Sequence, residues 1–304
     1  MTVINSKSKT IKRLSTSEWR ARKLERREKQ RQANVGRASK MRAARLASGL
    51  PSPPVEELPK FNVGCSGWFY WHWRELFYPR GIPTKDWFAY YRMRFPTVEI
   101  NASFYSWPTV NTVKTWARQA GNRNFIYTVK VCELITHVKR FSRTRALVKD
   151  FSFIADLLES HMGCFLFQLP PSFRYTPSRL KRILAQLDSA RRNVVEFRHR
   201  SWWNPKVYAA FKKARVIFCS CSAPNLPDEL IAASDEVYIR FHGLTKWYRH
   251  NYSPAELAVW VERIKASGCK RVWAYFNNDR DAYAIKNAKE LTRQLKRAFV
   301  GRSA

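Results

Sequence analysis

Residues 97–108 read Thr-Val-Glu-Ile-Asn-Ala-Ser-Phe-Tyr-Ser-Trp-Pro, and the fold turns on how they are understood. Thr97, Glu99 and Asn101 alternate with Val98 and Ile100, so a strand here shows an apolar row on one face and a carboxylate with an amide on the other. A face carrying such a carboxylate belongs to a barrel interior or an active site. Ser103, Phe104 and Tyr105 follow at the strand's end, and Trp107-Pro108 stop it before a helical pattern begins.

The same grammar recurs down the chain. Strand-like runs fall at 62–66, 97–104, 125–131, 164–169, 194–198, 216–220, 237–242 and 272–276. Helical patterns at 86–94, 110–120, 148–160, 178–187, 206–214 and 254–267 separate them, and 282–299 follows the last. Only the connection 223–235 lacks a long helix. Strict alternation over residues 61–304 predicts a (β/α)8 TIM-like barrel, which needs about 250 residues. A doubly wound open sheet is the alternative, but no Gly-rich phosphate turn follows the first strand.

Residues 1–60 stand apart by composition, as a basic N-terminal arm and Pro-rich linker. Residues 17–47 are rich in Arg, Lys, Glu, Gln and Ala with hardly any large apolar side chain, which predicts a segment largely unstructured, or helical only on a partner. Pro51, Pro53, Pro54 and Pro59 then make a stiff linker. The arm holds 16 Lys and Arg against 5 Asp and Glu, leaving 40 against 18 for the remainder, so the barrel is basic in its own right. A net charge of +33 in 304 residues makes nucleic acid the first partner to consider, through the arm (Lys23, Arg26, Arg27, Lys29, Arg31) and the basic barrel surface.

No run of eighteen apolar residues exists and the N-terminus carries charge where a signal peptide would be apolar. A cytoplasmic protein without a membrane partner is expected. The six cysteines are scattered singly except Cys219 and Cys221, a spacing too short for a common zinc motif, and read as buried free thiols.

In an all-parallel sheet both faces are buried, so polar strand residues are conspicuous. Glu99, Lys130, Gln168, Glu196 with Arg198, and Arg240 with His242 alternate with apolar neighbours and fall on one face of their strands. The carboxylates are expected to meet Lys130, Arg198 or Arg240 inside the barrel, because an unpaired buried charge costs several kcal/mol. An ion-pair network that only fixes the packing is the plainer reading of them. At strand C-termini, where barrels of this type carry their sites, lie Trp68, Asn101, Tyr105, His137, His199, Trp202, His242, Asn277, Asn278 and Asp279.

Seven segments resemble one known family, the domain-of-unknown-function 72 or YecE-like family. They are Val63-Gly-Cys-Ser-Gly-Trp68 with His72-Trp73-Arg74 and Phe77-Tyr78-Pro79; Val98-Glu-Ile-Asn101 with Ser103-Phe104-Tyr105; Ile135-Thr-His137; Phe167-Gln-Leu-Pro-Pro-Ser-Phe173; Val195-Glu-Phe-Arg-His199 with Ser201-Trp202; Arg240-Phe-His-Gly243; and Tyr275-Phe-Asn-Asn-Asp279. The resemblance implies a TIM-barrel-like fold for residues 61–304 and no particular reaction. The arm lies outside it, and Cys65 stands where a threonine is expected.

The chemistry expected of such a rim is binding of a phosphate- or sugar-containing ligand. Arg198, Arg240 and Lys130 would attract the anion and Trp68, Tyr105 and Trp202 would stack a ring. Glu99 or Glu196 would serve as base beside His199 and His242. A metal-dependent hydrolase or isomerase would draw on Glu99, Glu196, His199, His242 and Asp279, but the Arg and Lys on the same strands oppose a divalent cation, and no metal ligand or cofactor is assigned. A non-catalytic nucleic-acid-binding or scaffold protein is the third alternative.

Overall fold

Eight parallel strands close on themselves in sequence order in the computed structural model, which describes residues 15–49, 58, 60–121 and 124–300. The strands are β1 (Phe61–Cys65), β2 (Thr97–Ile100), β3 (Ile126–Lys130), β4 (Met162–Gln168), β5 (Asn193–Glu196), β6 (Ile217–Ser222), β7 (Glu236–Phe241) and β8 (Arg271–Phe276). Strand β8 pairs back to β1 over five residues, from Phe61 with Val272 to Cys65 with Phe276. The sheet is therefore a (β/α)8 barrel, as the alternation predicts.

Helices α1 (Thr16–Ser48), α2 (Trp87–Arg92), α3 (Ala102–Tyr105), α4 (Val110–Ala120), α5 (Arg145–Leu158), α6 (Pro177–Leu184), α7 (Pro205–Ala214), α8 (Pro254–Ser267) and α9 (Tyr283–Val300) complete the described elements. Their starts are written locally. Thr109, Thr176 and Asn204 cap α4, α6 and α7 through their side chains, and Ser253 with Glu256 forms a capping box on α8. Proline opens α6, α7 and α8, where its missing N–H costs nothing. Residues 223–235 contain no helix, as expected; Ile231 N–H donates instead to Ser220 Oγ at 2.9 Å.

Strand β2 ends four residues earlier than its pattern suggests. Ser103 Oγ donates to the carbonyls of Ile100 (3.0 Å) and Lys130 (2.6 Å), tying the ends of β2 and β3 together while the chain turns into α3. Between β1 and β2 the ladder is thin, with the single register pair Cys65 and Val98. The Tyr91 hydroxyl from α2 fills the gap, accepting from Cys65 N–H at 2.8 Å and donating to the Thr97 carbonyl at 3.0 Å. Gly64 is needed there, because a Cβ would stand 2.3 Å from the Thr97 oxygen.

Period two then sorts the side chains. Val63, Val98, Val129, Phe165, Phe167, Val195, Phe197, Ile239, Phe241 and Phe276 face outward into the helix-covered core. Inside lies a smaller cluster with Ile126, Cys164, Leu166, Val194, Ile217, Cys219, Tyr238, Trp273 and Tyr275. Above its floor the Tyr275 hydroxyl meets Thr97 Oγ1 at 2.7 Å and Thr128 Oγ1 at 2.9 Å.

The arm is helical, one of the two states expected of it, but it also buries a face against the barrel. Helix α1 is 33 residues long and docks on the barrel beside α5. Arg27, Asn34, Ala38, Met41 and Arg45 recur at helical spacing on the docked face. Asn34 Nδ2 donates to the Tyr105 carbonyl at 3.0 Å, and its Oδ1 accepts from Trp107 N–H at 2.9 Å. Arg27 pairs with Glu133 and Arg45 with Asp150, both at 2.8 Å. A search for large apolar residues misses this interface, because it is built from one buried amide, two small or flexible apolar groups and ion pairs at its edge. The expected linker prolines, Pro51, Pro53, Pro54 and Pro59, lie outside the described residues.

Candidate functional site

At the C-terminal end of the barrel Arg240 lies on the central line. It is fully buried on β7 and reaches a carboxylate on either side, Nη2 to Glu99 Oε1 at 2.5 Å and Nη1 to Glu196 Oε2 at 2.6 Å. Glu99 is completed by hydroxyls, accepting from Ser66 Oγ at 2.6 Å and Tyr238 OH at 2.5 Å. Glu196 also accepts from Arg198 Nε, two residues on along the same chain. Burial works to raise the Glu196 pKa, but Arg198 and Arg240 outweigh it and hold the carboxyl well below its ordinary range. Both carboxylates are thus partners of arginine with no face toward solvent. The plainer sequence reading, an interior ion-pair network, describes their geometry, and neither is placed to take a proton from a ligand at the mouth.

His242 sits one layer higher, fully buried, with Nε2 3.2 Å from Glu196 Oε1 and Nδ1 3.3 Å from Asn277 Nδ2. The neutral ring protonated on Nε2 donates to Glu196 and accepts from Asn277, and leaves the Arg198 contact on Nε2 without a hydrogen bond. Burial, then the charges of Arg198 and Arg240, push its pKa well below the usual histidine value. Arg198 Nη2 lies 3.1 Å from the same ring nitrogen, and its guanidinium carbon is 4.7 Å from the centre of the Trp247 ring. Trp247, also 5.3 Å from the His242 ring, is the aromatic group that covers this part of the mouth.

Lys130 ends β3 at the same level. Its ammonium lies 4.2 Å from the centre of the Phe104 ring. Burial first, then Arg240 and Arg198, lower its pKa to about 7. His137, in the turn after β3, packs edge-on against Phe104 at 4.9 Å. Burial, then Lys130, Arg140, Arg198 and Arg27, bring its pKa to about 4, so this ring is neutral at pH 7. Helix α1 borders the mouth: Arg27 adds to the positive field at His137, and half-exposed Tyr105 stands beside Arg27, 5.7 Å from ring centre to guanidinium.

Several expected residues go elsewhere. Trp202 is no wall of the mouth; it is fully buried on the helix side, stacked 3.9 Å from Phe197, with its N–H donating to the Phe173 carbonyl at 2.7 Å. Trp68 packs edge-on against Phe88 of α2. His199 Nδ1 meets Ser201 Oγ at 2.8 Å, with no contact to Glu196 or His242. Asp279 faces His72 at 3.7 Å. Asn278 Nδ2 holds the His250 carbonyl and Asn287 Oδ1, both at 2.7 Å, under the β7–α8 loop. Gln168 donates to the Leu169 carbonyl at 2.9 Å, and Asn101 Nδ2 to the Ser66 carbonyl at 3.2 Å. Apart from Gln168, the last residue of β4, each of these residues follows a strand's end, where period two no longer fixes direction. Of the arm residues, Arg27 and Arg31 turn toward Glu133, Lys29 pairs with Glu25 at 2.7 Å, and Lys23 and Arg26 are exposed.

The metal set drawn from the sequence is scattered by these placements. A different trio, Glu196, Cys221 and His242, has one donor atom each within 4.8 Å of the others. Both Glu196 oxygens already serve guanidinium groups, and those two fixed charges repel a cation from the same spot. Ser66, Tyr238 and Trp247 are not singled out from the sequence as site residues, and Cys221 is read there only as a buried thiol. Tyr238 shares the period-two row of Arg240 and His242, and Cys221 that of Cys219, so a signal existed for these two; for Trp247, in a loop, there was none.

A cavity of about 730 Å³ lies at the opposite end, between the N-terminal ends of β4 to β7 and their helices. Among its lining residues Arg191 pairs with Asp156, Arg192 with Glu236 and Lys270 with Asp235. Three of its five cations are thus paired, and in this fold that end serves stability.

Residues 62–303 match the model of a family described as protein of unknown function DUF72. The UPF0759 protein YunF of Bacillus subtilis is 26% identical over 278 residues, covering 79% of this chain and 96% of that one. A DUF72 family protein of known structure from Thermotoga maritima is 24% identical with a TM-score of 0.71, over 78% of this chain and 100% of the other. One from Enterococcus faecalis is 19% identical with a TM-score of 0.66, over 78% and 95%. These two likenesses show a shared fold. Among the described residues no helix is long and apolar enough to cross a membrane.

Proposed function

The chain belongs to the DUF72 family of proteins of unknown function, and from that starting point we propose that the C-terminal mouth of its barrel binds a small ligand bearing phosphate or carboxylate. One observation carries the reading. Arg240 is matched by Glu99 and Glu196, whereas among the described residues Arg198 has only the Glu196 it shares with Arg240 and Lys130 has no carboxylate partner. The Arg198 guanidinium beside Trp247, with Lys130 against Phe104, complements an anion attached to a compact organic body.

Calorimetric titration with glycerol phosphate and with sugar phosphates tests this. Replacing Arg198 by Ala should weaken binding roughly 10- to 100-fold, the worth of one charged hydrogen bond of about 1.5–3 kcal/mol. Arg198→Lys should retain part of it. Undiminished affinity in Arg198→Ala, or a ligand seated at the N-terminal end, would overturn the proposal.

A second reading rests on α1. Residues 15–26 of that helix are exposed throughout, ahead of the first docked residue, and carry Arg20, Arg22, Lys23 and Arg26 against Glu18 and Glu25. Such a projecting basic end fits the phosphate backbone of a nucleic acid without sequence preference.

A further inference from the structure

Lys130 has more to explain than an anion seat requires. Its side chain is 9% exposed, and a buried ammonium ordinarily has a carboxylate or several acceptors. Among the described residues no hydrogen bond or ion pair reaches Nζ. The two carboxylates of the mouth are spoken for, Glu99 by Arg240, Ser66 and Tyr238, and Glu196 by Arg198 and Arg240. What faces the amine is the Phe104 ring, the guanidinium groups of Arg198 and Arg240 outweighing the carboxylates behind them, and neutral His137. An aromatic face favours the ammonium only weakly, and the lost hydration and two like charges exceed that gain. At pH 7 about half of the molecules then hold a free amine lone pair, a neutral fraction roughly a thousandfold above that of an ordinary lysine. An amine kept neutral by burial and neighbouring cations, at the catalytic end of this fold, is arranged as a nucleophile.

We propose that Lys130 forms an imine with an aldehyde or ketone that also carries phosphate or carboxylate, the anionic group resting on Arg198. The proposal builds on the anion-binding reading of the mouth. The amine lone pair bonds to the carbonyl carbon while the carbonyl oxygen takes a proton, giving a carbinolamine. Loss of that hydroxyl as water leaves a carbon–nitrogen double bond, with no oxidant or reductant consumed. Protonated, the imine withdraws electrons from the adjacent carbon, so aldol cleavage or isomerisation of a sugar phosphate or 2-keto acid is the class of reaction served.

The test uses the full chain with dihydroxyacetone phosphate, pyruvate or pyridoxal 5′-phosphate as probe and borohydride to fix the imine, read by intact mass and peptide mapping. One adduct at Lys130, forming half-maximally near pH 7 and protected by glycerol phosphate, is the expected result. Lys130→Arg and Lys130→Met should lose it. Labelling spread over exposed lysines such as Lys114, rising only toward pH 10 and unchanged in Lys130→Met, would overturn the proposal. Glycerol phosphate, which has no carbonyl, reads the anion seat separately. If it binds while Lys130 stays unlabelled, the imine falls and the anion seat stands; if Lys130 is labelled by pyruvate while glycerol phosphate fails to bind, the anion seat falls alone. Protection in the wild type keeps the test decisive even if a Lys130 variant does not fold.

Discussion

Replacing Glu196 by Ala strikes the mouth's charge network at the carboxylate that serves two arginines. Removing one partner of a buried pair costs about 3–5 kcal/mol, because the other charge is left uncompensated. Here the loss is divided: Arg240 keeps Glu99 at 2.5 Å, and Arg198, 11% exposed, can turn toward water. The lower end, about 3 kcal/mol, is therefore expected at pH 7, a fall in Tm of about 6–12 °C for a domain of this size. The sign of the pH dependence follows from Glu196. Its folded pKa lies well below the ordinary 4.5, so its contribution is complete above 4.5 and is lost as pH falls from there through the folded value. Urea unfolding of wild type and variant should show the widest gap at pH 7, narrowing below pH 4.5 by up to about 1.4 kcal/mol per unit. A gap under 1 kcal/mol at pH 7, or one that does not narrow on acidification while both proteins remain folded, would refute the network's assigned role.

Two further outcomes separate neighbouring roles. Trp202→Ala should destabilise the barrel by about 3–5 kcal/mol in denaturant titration, since it empties a fully buried stack on Phe197. The folded variant should bind glycerol phosphate with wild-type affinity, and a selective loss of that affinity would return Trp202 to the mouth. Replacing Lys23 and Arg26 together by Ala should lower the slope of log K against log salt for DNA by about 0.9 per lost phosphate contact. An unchanged slope would leave the projecting turns of α1 without that partner.

How much of this was legible depends on which physical rule each element obeys. Helices 110–120 and 254–267 were readable to the residue because their caps and prolines are local chemistry. Strand β2 was read too long because Ser103 ends it by bonding Lys130, a partner 27 residues away.

The sequence by itself determined the eightfold alternation, and from it the barrel, because period two and period 3.6 are properties of the backbone. It also determined that Glu99, Lys130, Glu196, Arg198, Arg240 and His242 share the inner face and the C-terminal end. Only the closed barrel decided their partners. Alternation tells which way a side chain points, while strand register and curvature set which residues of β2, β5 and β7 meet at one height, so the sequence could not say that Arg240 would take both carboxylates and leave Lys130 none. Trp202 and His199 lie past the last strand residue, where direction is settled by packing with distant side chains. Helix α1 was hidden for the converse reason: its docking rests on Asn34, Ala38 and Met41, residues whose types carry almost no burial signal until the Tyr105 carbonyl and the Trp107 N–H stand opposite them.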